Sequence, residues 1–209
     1  MKTAIVTGAT KGIGLATARM LLKEGYHVVV TYAHDSASAE RCREELSSIS
    51  SNFTIVRADQ SDKASMREFV EYIKGAYTSV EAIVCNAGTT LRCPFEEITD
   101  EDWERMMQVN LNSNLYLIRD LNKMIAPNSR IIFIGSLMGV YPHGTSLAYG
   151  VTKSALHALA LNLVKCFEGT NTTVNAIAPG FVETEWQASK PQQIRDNIVA
   201  KSAIKRFAT

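Results

Sequence analysis

The chain has 209 residues, 46% of them hydrophobic, and is long enough for one core to bury about 70% of the unfolded surface. With 22 Lys and Arg against 21 Asp and Glu, the formal net charge of +1 provides neither a basic field for nucleic acid nor an acidic tail. The apolar share excludes a disordered chain, and no apolar run approaches the roughly 20 residues that cross a bilayer. We therefore predict a soluble protein, one globular domain over residues 1–209, with no nucleic-acid or membrane partner.

Short apolar runs alternate with helical segments along the chain. The runs are nearly continuous in hydrophobicity, which is typical of strands covered on both faces of a parallel sheet. The six predicted strands are Thr3–Thr7, His27–Tyr32, Phe53–Val56, Ala82–Cys85, Arg130–Ile134 and Thr173–Ile177. The predicted helices between them are Gly12–Lys23, Ser36–Ser47, Ser61–Ala76, Asp100–Met124 and Tyr149–Phe167.

This alternation predicts an α/β fold of the Rossmann type, with a doubly wound, mostly parallel sheet and helices on both faces. Ligands of such sheets bind at the carboxyl ends of the strands. After the sixth strand the chain continues through a loop and a helix within Glu183–Ala200, and no further strand is predicted before Thr209. We therefore expect the chemistry in the loops that follow the strands.

The four cysteines are scattered, and no two have the Cys-x-x-Cys spacing of a redox or metal motif. They are Cys42, Cys85, Cys93 and Cys166. Reduced thiols in a cytosolic protein fit this pattern best. The amino terminus runs directly into Ala4-Ile5-Val6 without the longer apolar region of a secretory signal, so we predict a cytoplasmic protein.

A glycine-rich turn, Thr7-Gly8-Ala9-Thr10-Lys11-Gly12-Ile13-Gly14, joins the first strand to the first helix. Glycines there permit a sharp turn, the approach of a pyrophosphate and tight helix packing. The unpaired N–H groups and the dipole at a helix amino terminus favour an anion. We therefore predict a dinucleotide cofactor, although taken alone such a turn can simply satisfy backbone geometry.

The residues near the end of the second strand bear on the choice between NAD and NADP. An acidic residue at this end would select NAD, but the strand ends at Thr31-Tyr32-Ala33. Asp35 follows beside Ser36, where a helix amino-cap is at least as good a role. For Lys11 there are two interpretations, a cation that binds a 2′-phosphate or an ordinary solvated lysine. For His34 the two interpretations are a second phosphate partner or a surface imidazole. We favour NADP(H) over NAD(H).

Three polar residues suit a carbonyl reaction. Ser136 follows the fifth strand, and Tyr149 and Lys153 lie four residues apart on one face of a helix. Lowering the pKa of a phenol from ~10 to ~7 requires about 4 kcal/mol, which a lysine about 4 Å away supplies at an effective dielectric constant of about 20. Tyr149 is the candidate proton donor, and Ser136 can hydrogen-bond the same oxygen. Taken singly, each residue also has a structural interpretation, and so does Asn110, a polar residue in an apolar stretch.

Together these motifs resemble those of the short-chain dehydrogenase/reductase family. TGATKGIG at Thr7–Gly14 is similar to the family's cofactor loop, CNAG at Cys85–Gly88 to the N-A-G after strand four, and YGVTK at Tyr149–Lys153 to Y-x-x-x-K. The further residues that align are Asn110, Ser136 and Pro179-Gly180. The resemblance covers the chain from residue 2 to about 209.

The resemblance implies a role for each matching residue. Tyr149 would be the acid/base, Lys153 would lower its pKa and bind the nicotinamide ribose, and Ser136 would orient the substrate carbonyl. Asn110 would hold a water that links Lys153 to solvent, and Asp59 would contact the adenine amino group. No metal ligand is implied. Besides Tyr149 and Lys153, the implied cofactor-binding residues are Gly8, Thr10, Lys11, Gly12, Ile13, Gly14, Asp59, Gln60, Asn86, Ala87, Gly88, Pro179, Gly180, Val182 and Thr184.

Within the family, the stretches TGATKGIG, VVVTYAHD and NAIAPGFVETE are most similar to the NADPH-dependent 3-oxoacyl-acyl-carrier-protein reductases of fatty acid biosynthesis. The likeness implies reduction of a 3-oxoacyl thioester. One alternative is an NAD(P)-dependent dehydrogenase of a sugar, polyol or other small alcohol, because many such members share these stretches. The other is a protein that binds the dinucleotide without turnover.

We expect the substrate pocket to draw on the residues after Ser136, on Thr90–Arg92 and on Phe181–Ala200. The named candidates are Leu137, Met138, Tyr141, His143 and Trp186. Three cations, Arg92, Arg119 and Lys123, would form a docking patch for acidic acyl-carrier protein or are scattered surface charges. Family members normally continue with another helix and a closing strand at a subunit interface. We therefore expect a homo-oligomer, a tetramer or dimer, and a chain that lacks those last elements.

Overall fold

A six-stranded parallel sheet lies at the centre of the computed structural model, which describes residues 1–209. The strands are β1 Thr3–Val6, β2 His27–Tyr32, β3 Phe53–Arg57, β4 Val80–Cys85, β5 Ile125–Ile134 and β6 Thr173–Ile177. Their order in the sheet is β3-β2-β1-β4-β5-β6, and every neighbouring pair is parallel. The chain thus winds outward from β1 in both directions, which confirms the predicted doubly wound, Rossmann-type fold.

Eight α-helices connect or follow the strands. They are α1 Gly12–Lys23, α2 Ser36–Ser47, α3 Lys63–Ala76, α4 Asp100–Met107, α5 Ser113–Asp120, α6 Leu147–Leu163, α7 Glu185–Ala188 and α8 Gln192–Lys201. Three helices begin with a side-chain cap that accepts a backbone N–H of the first turn. The capping residues are Asp35 for α2, Asp62 for α3 and Thr99 for α4. None of the helices combines the length and the apolar character needed to cross a lipid bilayer.

The prediction of one continuous helix over Asp100–Met124 is wrong. A π-helical turn, Gln108–Asn112, separates α4 from α5, and a 3-10 turn, Asn122–Met124, follows α5. β5 then begins at Ile125, earlier than the predicted Arg130. A π-turn widens the helix by one residue without changing the spacing of apolar residues enough for a sequence pattern to reveal it.

The sheet buries both of its faces, as its nearly continuous apolar strands require. Ile5 and Val29 pack with buried residues of α3, α5 and α6, whereas Val6, Val28 and Val30 pack with those of α1 and α2. Burial of each such side chain contributes about 1.5–3 kcal/mol. These two cores hold the sheet rigidly and leave its carboxyl edge to the loops.

The segment after β6 returns to the sheet's carboxyl edge. Phe207 is buried and packs edge to face against Phe181, with ring centroids 6.1 Å apart. The N–H of Ala208 donates to the carbonyl of Phe181 at 2.9 Å, and the N–H of Glu183 donates to the carbonyl of Ala208 at 2.8 Å. Where the sequence predicts no further strand, a single parallel bridge therefore joins Val182 to Ala208 and holds the loop after β6 in place.

Candidate active site

A cavity of about 1140 Å³ lies at the carboxyl edge of the sheet. The loops after all six strands line it, as expected for ligand binding in a doubly wound fold. The structure brings every predicted cofactor-binding and catalytic residue to this cavity except Gly14 and Asn110, which lie directly behind its wall.

The glycine-rich turn fits a pyrophosphate. Gly8 and Gly12 adopt φ angles of +59° and +57°, in the left-handed region that favours glycine. A Cβ at Gly8 would lie 2.8 Å from the Cα of Ala87, so the two loops can approach only without it. Lys11 precedes α1 without a side-chain cap, and the first N–H groups of this helix therefore retain their capacity to bind an anion.

The CNAG motif holds the glycine-rich turn from behind. The Asn86 amide donates to the carbonyls of Thr7 and Gly8 at 2.9 and 2.8 Å, and the Thr7 hydroxyl accepts the N–H groups of Asn86 and Ala87, both at 3.0 Å. A Cβ at Gly14 would lie 2.6 Å from the Asn86 amide nitrogen. Gly14 thus allows tight packing of α1 rather than direct ligand contact.

A charged cluster lies where an adenosine ribose would be bound. Lys11 pairs with Asp35 at 3.0 Å, and both side chains are about half exposed. The Asp35 carboxylate also accepts the N–H and hydroxyl of Ser38 at 2.9 and 2.7 Å. These bonds from Ser38, and then Lys11, hold the pKa of Asp35 far below its usual range. Asp35 is therefore an amino-cap, and Lys11 is not an isolated solvated lysine.

Asp59 and Gln60, after β3, lie in the same part of the cavity. His34 contacts the Asp59 carboxylate at 2.9 Å. Burial raises the pKa of Asp59, but the two hydrogen bonds from Ser61 and the charge of His34 produce a net lowering. The Gln60 amide donates to Ser113 at 2.6 Å, which ties this loop to α5, while its oxygen is buried without a partner.

Tyr149 and Lys153 lie on α6 beside Ser136, which follows β5. Lys153 is buried, and its ammonium donates to the carbonyl of Ile134 at 2.7 Å. Burial lowers the pKa of Lys153 to about 8. Burial raises the pKa of Tyr149, and a hydrogen bond with the Ser136 hydroxyl opposes that rise only in part.

The role of Lys153 in lowering the pKa of Tyr149 stays a prediction, because burial determines the direction of the Tyr149 pKa shift in this structure. The Lys153 ammonium lies 5.7 Å from the centroid of the Tyr149 ring and is bound to Ile134. Burial dominates the pKa of Tyr149 in this structure.

Asn110 is completely buried in the π-turn. Its amide donates to the Thr89 carbonyl at 2.9 Å and to the Thr152 hydroxyl at 3.0 Å, and its oxygen accepts the Thr89 N–H at 2.8 Å. A Cβ at Gly88 would lie 3.2 Å from this oxygen and 3.3 Å from the Lys153 ammonium nitrogen. Sequence reasoning missed Thr152, whose only signal is a polar side chain between Tyr149 and Lys153 on the buried side of α6.

The other end of the cavity has an apolar wall and several cations. All five named candidates for the substrate pocket, together with Thr90 and Arg92, line it, whereas Leu91 does not. Sequence reasoning missed Arg105 and Val109, because no motif marks them. Arg119 lies elsewhere, in a 250 Å³ cleft between α3 and α5, and is bound to Asp120 at 2.7 Å. Arg92 and Arg119 therefore do not share the predicted docking patch.

No three His, Cys, Asp or Glu side chains are grouped so as to hold a metal ion. The chemistry available at the cavity is that of a phenol, a hydroxyl and an ammonium group beside a pyrophosphate-binding turn. This combination defines a class, the dinucleotide-dependent oxidoreductases.

The comparison with known proteins makes the assignment more specific. The sequence profile of the family described as short chain dehydrogenase matches residues 2–195, and the chain therefore belongs to the short-chain dehydrogenase/reductase family. It is an NAD(P)-dependent oxidoreductase that acts on CH–OH or C=O groups.

Three relatives illustrate the range of the family. The chain is 32% identical to 2-dehydro-3-deoxy-D-gluconate 5-dehydrogenase of Pseudoalteromonas atlantica, over 97% of this chain and 79% of that protein. It is 27% identical to the 3-oxoacyl-acyl-carrier-protein reductase FabG of Staphylococcus epidermidis, over 99% of this chain and 85% of that protein. The solved active-site complex of Pseudomonas aeruginosa RhlG with NADP superposes with a TM-score of 0.89 at 29% identity, over 100% of this chain and 84% of that one.

Proposed function

We propose that the protein is an NADPH-dependent carbonyl reductase whose substrate is a 3-oxoacyl thioester. The observation that carries the proposal is the convergence of Ser136, Tyr149 and Lys153 at the cavity that also contains the glycine-rich turn. The similarity to 3-oxoacyl-acyl-carrier-protein reductase along 99% of the chain and the apolar cavity wall support this substrate class and a place in fatty acid biosynthesis.

The preference for NADPH is part of the proposal. The uncapped amino terminus of α1 would bind the pyrophosphate, and Lys11 would bind the 2′-phosphate. The Lys11–Asp35 pair is about half exposed, so exchanging it for a phosphate contact costs little, because such pairs contribute about 0–1 kcal/mol. The RhlG relative, solved with NADP, supports this choice.

When bound, the nicotinamide supplies the hydride for the substrate carbonyl carbon. The hydroxyl of Ser136 donates a hydrogen bond to the carbonyl oxygen, and the phenol of Tyr149 donates the proton that this oxygen gains. Because burial raises the pKa of Tyr149, the phenol carries its proton at neutral pH, as reduction requires.

Lys153 and Asn110 would restore the proton to Tyr149. The Lys153 pKa of about 8 lets its ammonium release a proton near neutral pH. Asn110 holds the Thr89 backbone and, through Thr152, the turn of α6 that carries Tyr149 and Lys153. We propose that its side-chain oxygen, beside Gly88 together with the Lys153 nitrogen, holds a water of the proton relay.

The test is the initial rate of NADPH and NADH oxidation with acetoacetyl-pantetheine. We expect NADPH-selective turnover that Tyr149→Phe reduces by about 100-fold or more without weakening NADPH binding, since general acids contribute about 10²–10⁴-fold. Tyr72→Phe, on the far surface of α3, is the matched control. A Tyr149→Phe enzyme with the wild-type rate would contradict the assigned proton donor.

A second candidate is an NAD(P)-dependent dehydrogenase of a sugar, polyol or other small alcohol. The 32% identity to 2-dehydro-3-deoxy-D-gluconate 5-dehydrogenase favours it. Faster turnover of hydroxy acids or polyols with NADP⁺ or NAD⁺ than of the thioester with NADPH would select this alternative.

The assembly and the location are also proposals. α6 presents exposed apolar side chains, Leu147, Val151 and Leu161, which suit packing against a second copy in a homodimer or homotetramer.

The free thiols of all four cysteines suit a cytoplasmic location. We also propose that residues 1–209 form one catalytic domain, because the cofactor turn and the catalytic group share one sheet.

A further inference from the structure

Two cations from different parts of the chain, Arg92 and Lys190, line the cavity that contains Ser136 and Tyr149. Arg92 lies in the loop after β4, and Lys190 lies in the turn between α7 and α8. The backbone N–H of Lys190 donates to the Gln187 carbonyl at 3.1 Å, which fixes this turn. The loops after β4 and β6 thus each present a positive charge to the same space.

These two cations have no counter-charge within the protein. Neither takes part in an ion pair, whereas Arg105, in the same cavity, pairs with Asp102 at 3.1 Å. Glu185 also lines the cavity but pairs with neither cation. Burial, and then the charge of Arg92, lower the pKa of Lys190. The two like charges repel each other, and an anion bound between them relieves that repulsion.

The side chains near these two cations add an apolar surface to the cavity. Tyr141 and Trp186 complete this end of the cavity as an apolar wall. The surroundings therefore match a ligand with an apolar part and an anionic end.

We infer that the substrate carries an anionic group, a carboxylate or a phosphate, that binds between Arg92 and Lys190 while its carbonyl lies at Tyr149. The inference rests on the carbonyl reductase function proposed above and specifies which carbonyl compounds the cavity accepts. A guanidinium binds either anion through two parallel hydrogen bonds, and an ammonium binds it as a point charge.

Two pairs of substrates separate the sources of the anion. The phosphate pair is acetoacetyl-4′-phosphopantetheine and acetoacetyl-pantetheine, and the carboxylate pair is 4-oxopentanoate and its methyl ester. We expect the enzyme to prefer the charged member of one pair by about tenfold or more in kcat/KM, the size of one charge-assisted hydrogen bond. Equal kcat/KM values within both pairs would overturn the inference.

Variants test whether these two residues produce the preference. Lys190→Met and Arg92→Gln should each lower the charged-to-neutral ratio about tenfold, chiefly through KM, whereas Lys190→Arg should retain it. Lys201→Met, at the exposed end of α8, removes the same charge outside the cavity and is the control. The assignment would be contradicted if Lys190→Met left the charged-to-neutral ratio of kcat/KM unchanged. It would also be contradicted if Lys201→Met lowered this ratio equally.

A binding measurement keeps the inference separate from the proposed activity. Trp186 lines the cavity, and in a Trp103→Phe background it is the remaining tryptophan. We expect inorganic phosphate or malonate to change its fluorescence saturably in NADP⁺-saturated protein, and Lys190→Met to weaken binding about tenfold. If no carbonyl compound is reduced, the proposed function fails, and this titration still decides the anion site: no saturable change would overturn it.

Discussion

Replacement of Lys153 by Met separates what this lysine contributes to chemistry from what it does to stability. Burial lowers the pKa of Lys153 from its ordinary 10.5 to about 8. Between these two values the folded state binds fewer protons than the unfolded state, so stability rises with pH across this window. The difference between the two pKa values corresponds to about 3 kcal/mol, which is the penalty for burying the ammonium at pH 7.

Lys153→Met removes this penalty and also leaves the Ile134 carbonyl without its 2.7 Å donor, a loss of about 1–3 kcal/mol. The second effect does not depend on pH, so the pH dependence isolates the first. We expect the stability of the variant relative to wild type to fall by about 2 kcal/mol between pH 7.5 and pH 9.5, as the wild-type lysine deprotonates.

The assay is urea unfolding of both proteins without cofactor at the two pH values, followed by circular dichroism. Lys201→Met, at the exposed end of α8, controls for the removal of one positive charge. Turnover by Lys153→Met should be lost at both pH values. A stability difference from wild type that is the same at pH 7.5 and pH 9.5 would refute the claim that Lys153 is buried at the expense of stability.

Three further perturbations test other parts of the structure. Lys11→Ala should lower kcat/KM for NADPH about tenfold and for NADH much less, with Lys23→Ala as the control; equal losses in initial-rate assays would exclude a 2′-phosphate contact. Gly14→Ala places a Cβ 2.6 Å from the Asn86 amide nitrogen and should lower the free energy of unfolding by about 1–3 kcal/mol. The control is Gly75→Ala in α3, where the added Cβ meets open space and should raise the free energy of unfolding slightly. Urea unfolding measures both changes. Burial lowers the pKa of His27, so the unfolded state takes up a proton more readily than the folded state and stability falls as the pH drops below about 6.5. The urea midpoint of His27→Gln should therefore change less between pH 7.5 and pH 5 than the midpoint of wild type.

The fold could be predicted because its signals are local. Continuous apolar runs such as His27–Tyr32 can be stable only with both faces covered, and the structure reproduces that strand and helix α2 at the predicted bounds. The π-turn at Gln108–Asn112 could not be predicted, because it depends on bonds from Asn110 to Thr89, far away in the chain. Tertiary hydrogen bonds of this kind leave no periodicity in the sequence.

The candidate site, too, could be predicted from the sequence only in part. Motif spacing places Tyr149 and Lys153 on one helix face, but the distance between phenol and ammonium depends on where the lysine finds an acceptor. That acceptor is the backbone carbonyl of Ile134, which has no sequence signature. The cationic environment of Lys190 is likewise absent from any motif, because it depends on Arg92 approaching from another loop. Electrostatic details of the site are therefore properties of the assembled loops.

Several unfavourable features of this fold lie at the carboxyl edge of the sheet. There the ammonium of Lys153 is buried, and the oxygens of Gln60 and Gln187 are buried without partners. The two apolar cores on the two faces of the sheet supply the stability that permits these features. Because a ligand can satisfy the orphaned oxygens and surround the buried charge, binding should stabilise this edge more than any other part of the molecule. Hydrogen exchange with and without NADP⁺ would measure this: we expect added protection in the loops after β1, β4 and β6, and uniform protection along the chain would contradict the argument.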